Sequence, residues 1–184
     1  MKTTADTDRA MLERALELAR ISLDHGSGPV GCVIVDERGE VIAEGRNRAH
    51  EPWPLESREI AGSSLAHAEL SALFHLQDLE DAPGWTLYSS LEPCLMCSGA
   101  LALLGLGRVV WACDDPWNGA GRGAPWGSQP AFAQLGVVAH PYPDLEAAAA
   151  ELFAPEALSS YPPEGWARWR ARYPAACAGA EAVR

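Results

Sequence analysis

Lysine is almost missing from this sequence: Lys2 is the only one in 184 residues. With 25 Asp and Glu against 14 Lys and Arg, the formal net charge is -11. A chain that clamps a nucleic-acid backbone usually carries a basic patch, because each contacted phosphate calls for a cation. The one cluster on offer is Arg168, Arg170 and Arg172, and a solvated helix face is the simpler reading of it. The acidity therefore disfavours a long nucleic-acid partner and leaves a small one open. Long apolar runs are also missing. No stretch reaches the roughly 18 residues needed to span a bilayer, and the first residues lack the apolar segment of a secretory signal. A cytoplasmic protein without membrane contact is expected. Cysteine is scarce and odd in number, at Cys32, Cys94, Cys97, Cys113 and Cys177. Only Cys94-x-x-Cys97 is tightly spaced, and in a reducing compartment such a pair points to metal or redox chemistry rather than a structural disulfide.

Apolar residues make up 48% of the chain, an ordinary share, and the length suits one domain with a sizeable core. Met11, Leu12, Ala15, Leu16, Ala19 and Leu23 fall at helical spacing, which predicts a helix over 8–24 stopped near Gly26. Val30 to Val35 and Val41 to Gly45 flank Asp36-Glu37-Arg38-Gly39 and predict a hairpin. Residues 48–64 form a long irregular connection, a kind that is usually functional or mobile. A helix is expected from Leu65 to Leu76, with Leu70, Leu73 and Phe74 facing inward. A strand follows at 85–89. An almost wholly apolar helix at 95–104 should be buried. Strands come next at 108–113 and 136–140, separated by a Gly-, Pro- and Trp-rich loop over 116–130. Helices are expected at 145–153 and 164–172, with a loose end after Pro174. Alternating helices and strands imply an α/β fold with an antiparallel opening hairpin, parallel later strands and helices on both faces.

His67-Ala68-Glu69 lies upstream of Pro93-Cys94-Leu95-Met96-Cys97, and H-x-E with P-C-x-x-C is already associated with zinc deaminases. The chemistry agrees. Zinc accepts imidazole nitrogen and thiolate sulfur, and a catalytic zinc keeps one of four positions for water. His67, Cys94 and Cys97 would supply three ligands to one Zn2+ per chain. Cys94 and Cys97 share a face if they sit at a helix start, where the partial positive charge favours thiolate. Pro93 suits such an entry. Residues two apart point about 200° away from each other on a helix. His67 and Glu69 can therefore reach one metal only from a first turn whose end faces it. Ser63 and Ser64 offer caps for that helix. Two helix N-termini should converge on the metal, with Glu69 beside the metal's water as the proton carrier. The competing reading is a closed zinc site with a fourth ligand from Cys113, Cys32 or another His. It would leave Glu69 unexplained. His75 reads as packed or exposed, and His25, His50 and His140 as structural or solvated, with His50 the one near enough in sequence to line the site.

At these residues the chain resembles the cytidine-deaminase-like superfamily. Ser90-Leu91-Glu92-Pro93-Cys94-Leu95-Met96-Cys97-Ser98-Gly99-Ala100 is similar to the branch holding tRNA adenosine deaminases and bacterial guanine deaminases. Gly28-Pro29-Val30-Gly31-Cys32-Val33, Gly45-Arg46-Asn47-Arg48 and Arg108-Val109-Val110-Trp111 extend the likeness over roughly residues 10–153. The resemblance implies a three-layer α/β/α sandwich with a five-stranded mixed sheet, zinc-dependent hydrolysis and a homodimer. The whole chain would be one deaminase domain, with a core over about 8–153 and a helical extension over about 154–184. It also implies that Asn47 hydrogen-bonds the substrate, the alternative being a plain turn residue. Asp115 matches an aspartate of the branch, either substrate-binding or turn-stabilising. Two departures bear on the substrate. The segment 48–64 is longer than in the tRNA enzymes, and 116–130 carries Trp117 and Trp126, which could stack on a flat ring or fill a local core. The leading expectation is a deaminase of a small aminated heterocycle, a nucleobase or nucleoside. A tRNA wobble-adenosine deaminase is the alternative, and a non-catalytic zinc-stabilised partner subunit is a reading of another class.

Overall fold

A computed structural model describes residues 4–53, 59–76, 82–121 and 130–183. Strands β1 (Gly31–Val35), β2 (Val41–Arg46), β3 (Thr86–Leu91), β4 (Arg108–Cys113) and β5 (Gly136–Ala139) form one sheet in the order β2-β1-β3-β4-β5. β1 runs antiparallel to both β2 and β3, whereas β3, β4 and β5 are parallel. This is the expected mixed sheet. The hairpin turns at Gly39, whose φ of +82° is one that glycine tolerates, and the Asp36 carboxylate accepts the N–H groups of Arg38 and Glu40.

Helix α1 (Thr4–Asp24) packs on β1 and β3, and α2 (Ala68–Phe74) packs on β1 and β2. Two strand glycines set these approaches on opposite faces. A Cβ on Gly31 would stand 2.3 Å from the Ala15 carbonyl oxygen of α1, and one on Gly45 would stand 2.1 Å from the Ala68 carbonyl oxygen of α2. α3 (Leu95–Leu103) lies beside α2, and α5 (Pro143–Ser160) packs on β4 from the α1 side. The short α4 (Pro130–Ala133) was not foreseen. α6 (Pro163–Arg172) and α7 (Pro174–Ala182) complete the chain. The core runs through Val33, Ile34, Leu87, Val109, Val110 and Trp111 of the central strands, all buried. No described helix is long and apolar enough to cross a membrane.

Several expectations need correction. α2 begins at Ala68, not Leu65. Ser63 instead shapes the preceding turn, its hydroxyl accepting the Leu65 N–H at 3.2 Å. The inward face of α2 is Ala68, Glu69, Ser71 and Ala72, while Phe74 is exposed. Leu73 packs against the core as expected, but only small residues fit against bare Gly45, and Phe74 turns away. α3 is not buried all round: Leu95 and Leu103 are exposed. α5 continues through Pro155 to Ser160. The end after Pro174 is not loose. Pro174 opens α7, a position whose N–H a helix does not need, and Ala176, Cys177 and Ala180 are buried as α7 docks on α5.

Candidate active site

His67 and Cys94 each occupy the N-cap of a helix, with extended backbone at φ/ψ of -73°/155° and -69°/174°. An N-cap side chain stands at the mouth of its helix, where unpaired N–H groups and the helix dipole concentrate positive potential. The His67 Nδ1 atom lies 3.5 Å from the Cys94 sulfur and 3.6 Å from the Cys97 sulfur, and the three donor atoms all fall within 4.8 Å of one another. Tetrahedral zinc, with Zn–S of about 2.3 Å and Zn–N of about 2.0–2.1 Å, sets the S···N edge at roughly 3.5–3.6 Å. The donor set fits that ion in both chemistry and spacing. Contact with the Cys97 sulfur and with His67 outweighs burial and pulls the Cys94 thiol down to about 4. The Cys97 thiol is pushed up by its contact with Cys94, by burial and by Glu69. The Cys94 contact raises the His67 imidazole against the opposing effect of burial.

Glu69 sits one turn position inside α2 and is buried, 3% exposed. The Ser89 hydroxyl of β3 donates to its Oε1 at 3.1 Å. Burial is the largest influence on its carboxyl and raises it, with the Cys94 thiolate adding in the same direction. Two residues from His67, Glu69 nevertheless faces the same pocket. The reason is the one its spacing required: His67 is the cap and Glu69 lies in the first turn. Ser89 was not singled out from the sequence. The register places it opposite Cys32, a fact no local pattern carries.

These residues line a cavity of about 180 Å³, smaller than the roughly 300–1,000 Å³ that hold drug-sized ligands. It opens at the edge of the sheet where β2, β3 and β4 end, the usual place for a ligand crevice in an α/β sheet. Asn47 lines it. Its Oδ1 accepts the Ala49 N–H at 3.0 Å, a turn-forming bond, while its amide nitrogen faces Gly28. Asp115 also lines it, and its carboxylate is crowded with donors. Oδ1 accepts the N–H groups of Trp117 and Asn118 at 3.0 and 3.1 Å and the Trp169 indole N–H at 3.3 Å, and Oδ2 accepts the Tyr161 hydroxyl at 2.7 Å. Burial raises this carboxyl against those bonds. Asp115 thus closes a turn and ties the end of α5 and the middle of α6 to the pocket.

Phe153, Glu156 and Tyr161, from the end of α5 and just past it, form another wall. The sequence reading missed Glu156 and Tyr161. Phe153 and Glu156 are an i,i+3 pair that share a helix face, but Pro155 reads as a helix end, and Tyr161 follows in extended backbone just past α5, where no periodicity points to it. Trp117 does not line the pocket. It packs over Gly165 of α6, with the Arg168 guanidinium 5.4 Å from its ring, so it fills a local core. Trp126 lies outside the described residues. His50 is exposed, its ring nitrogen 3.2 Å from the Gly26 carbonyl, and does not line the pocket. Two of the three arginines of the basic cluster are paired with acids in place. Arg170 pairs with Glu181, Arg172 pairs with Asp114 and Glu146, and Arg168 covers Trp117.

Residues 5–113 match the cytidine and deoxycytidylate deaminase zinc-binding region. A probable cytosine deaminase of Schizosaccharomyces pombe is 35% identical over 115 residues, covering 60% of this chain and 63% of that protein. The structure of a tRNA:A34 deaminase, studied in A-to-I editing at the wobble position of transfer RNA, superposes with a TM-score of 0.64 at 31% identity. The match covers 78% of this chain and 99% of that one. The protein NE0047, solved in complex with 2,6-diaminopurine, superposes with a TM-score of 0.59 at 27% identity over 83% and 82% of the two chains. The zinc-spaced triad at two helix mouths and the match across residues 5–113 lead to one conclusion: this chain belongs to the cytidine and deoxycytidylate deaminase family, whose shared element is a zinc-binding region.

Proposed function

We propose that the protein is a hydrolytic deaminase of a small aminated heterocycle, a nucleobase or nucleoside, which it converts to the oxo ring with release of ammonia. The observation that carries this reading is Glu69: a buried carboxylate held by Ser89 at the same helix mouth as His67, facing a pocket sized for one small ring system. His67, Cys94 and Cys97 would hold the metal, and zinc there would supply an acidified water, its pKa brought toward about 7. Glu69 would take a proton from the attacking water and pass it to the ring nitrogen beside the carbon that bears the amine. Glu69 would then take the second proton, from the hydroxyl that has added to that carbon, and pass it to the leaving amine, so two protons are taken and two given. A C–O bond forms, the C–N bond breaks, and one water is consumed for each ammonia released. Asn47 presents its amide N–H to a ring acceptor. Asp115 borders the ring chiefly as the anchor of the pocket wall, since its oxygens already take four donors.

The substrate reading rests on charge as well as size. The acids Glu69, Glu92, Asp115 and Glu156 line the pocket, and no Lys or Arg does so among the described residues. Such walls repel phosphate. The likeness to a tRNA:A34 deaminase favours a second reading, wobble-adenosine deamination. The acid-lined pocket and the pairing of Arg170 and Arg172 with acids oppose it. We also read the exposed apolar residues Leu65 and Phe74 near and on α2, and Leu95 and Leu103 on α3, as the face that meets a second copy of the chain. Four large apolar side chains exposed near and on two neighbouring helices favour a partner there, and Leu95 directly follows Cys94.

The test is an ammonia-release screen of the zinc-loaded protein over guanine, adenine, cytosine, their nucleosides and related aminated rings. Turnover of at least one is expected, with a loss of about 10²–10⁴-fold in Glu69→Ala at unchanged zinc content. Full activity in Glu69→Ala would overturn the mechanism. Tight, salt-sensitive binding of tRNA would put the second reading first.

A further inference from the structure

We propose that Glu156 is a specificity-determining residue: its carboxylate accepts a hydrogen bond from a neutral donor on the substrate, whether a ring N–H, a second exocyclic amine or a sugar hydroxyl. The inference rests on the deaminase reading and refines its substrate class.

Three observations carry it. The first is placement. Glu156 lines the pocket with Phe153, one turn before it on α5, and with Tyr161, just past the end of that helix. That wall is braced. The Phe153 ring packs 5.3 Å from Trp169 and 6.2 Å from Tyr161, and Tyr161 is fastened to Asp115. A side chain on a rigid face can discriminate, because its position costs little to hold. The second is its neighbour. A Cβ on Gly28 would stand 3.7 Å from the Asn47 amide nitrogen and 4.0 Å from the Glu156 Cγ. The two side chains therefore converge over bare backbone. Asn47 has spent its oxygen on Ala49 and presents the donor end. The third is spare capacity. Of the acids away from the metal, Asp115 takes four donors and Glu92 accepts the Asp115 N–H at 3.2 Å. Glu156 accepts the Ser160 hydroxyl on Oε1 at 2.5 Å, and its Oε2 has no hydrogen-bond partner among the described residues.

A donor from Asn47 beside an acceptor from Glu156 complements a substrate edge carrying an acceptor next to a donor. An ionised acceptor makes a hydrogen bond worth about 10–100-fold in affinity. It also penalises an analogue that lacks the donor, because the carboxylate is then left desolvated without a partner. Such a contact holds the substrate in ground and transition states alike, so it should act on KM more than on kcat.

The experiment uses zinc-loaded wild type, Glu156→Ala and Glu156→Gln. It follows steady-state kinetics on the free base the wild type deaminates best, on that base methylated at its ring N–H, and on its nucleoside. Glu156→Ala should raise KM about 10–100-fold with kcat within about threefold, at unchanged zinc content and Tm. Glu156→Gln keeps an acceptor and should lose less. It carries the test if the alanine variant fails to fold. A loss on the free base that vanishes on the methylated base assigns the donor to the ring N–H. A loss shared by those two assigns it to the exocyclic amine, and a loss confined to the nucleoside assigns it to the sugar. An unchanged KM on all three overturns the inference and leaves the deaminase reading intact. If the wild type deaminates nothing, that reading fails separately, and equilibrium binding of the same bases decides on Glu156. Equal affinities of wild type and Glu156→Ala would overturn it.

Discussion

Single side chains here do more than fill their own places. Ser89 makes one hydrogen bond, yet it restrains the carboxylate on which the proposed chemistry depends. Asp115 gathers four donors from the turn, α5 and α6, and so couples the pocket wall to the C-terminal helices. Glu51 plays a comparable part on the long connection after β2. Burial opposes its ionisation, but hydrogen bonds from Arg46 and Arg48 outweigh that and hold its carboxyl below the ordinary value of 4.5. The sign follows from linkage. The folded chain binds this proton more weakly than the unfolded chain, so the stabilisation is present above about pH 4.5. It drains away as pH falls through the lower folded value. In urea melts, wild type should therefore lose more stability between pH 6 and pH 3 than Glu51→Gln does. Parallel curves for the two would show that Glu51 contributes nothing to acid sensitivity.

Among the elements, α2 carries the tightest constraint. It must lie close enough to β2 for its first turn to bring His67 and Glu69 to the metal. Gly45 permits this, since a Cβ there would stand 2.1 Å from the Ala68 carbonyl oxygen and 2.5 Å from the Ala72 nitrogen. Those are backbone atoms and cannot rotate aside. Gly45→Ala should cost about 1–3 kcal/mol or more, and it should weaken zinc retention, because the helix that moves is the one holding His67. Gly179→Ala is the comparison. Nothing lies within 4 Å of its added Cβ in α7, and relief of glycine's entropy should stabilise by about 0.5–1 kcal/mol. Thermal melts with zinc analysis of both variants check this. Equal zinc content and Tm in Gly45→Ala and wild type would remove the packing argument.

At the scale of the whole molecule, the apolar face of α2 and α3 calls for a partner. Leu103 is 83% exposed and Leu95 48%. If two copies meet there, light scattering should give the mass of two chains for wild type and of one for Leu103→Glu. The folded monomer should persist, since Leu103 makes little contact with its own core. A wild-type monomer at micromolar concentration would set the homodimer aside.

The residues proposed to carry the chemistry were legible in the sequence because their signal is chemical and short-range. His67, Glu69, Cys94 and Cys97 are of types suited to zinc and proton transfer, and their two awkward spacings are compatible only with helix starts. The alternation of strands and helices was legible for a similar reason, since periodicity is local. The rest was decided by packing. Whether Phe74 or Ala72 faces inward depends on a glycine across the sheet. Whether α3 is buried depends on what lies beyond it. Whether Pro155 ends a helix depends on the contacts of the residues after it. Most of all, the pocket wall of Phe153, Glu156 and Tyr161 exists because α5 folds back from some sixty residues beyond the second cysteine, and Asp115 and Trp169 hold it there. The sequence by itself thus determined the zinc-ligand set and the proposed proton carrier, because those are properties of residue type and local geometry. Only the tertiary structure decided what surrounds the substrate, because that wall is assembled from segments with no local relation to one another.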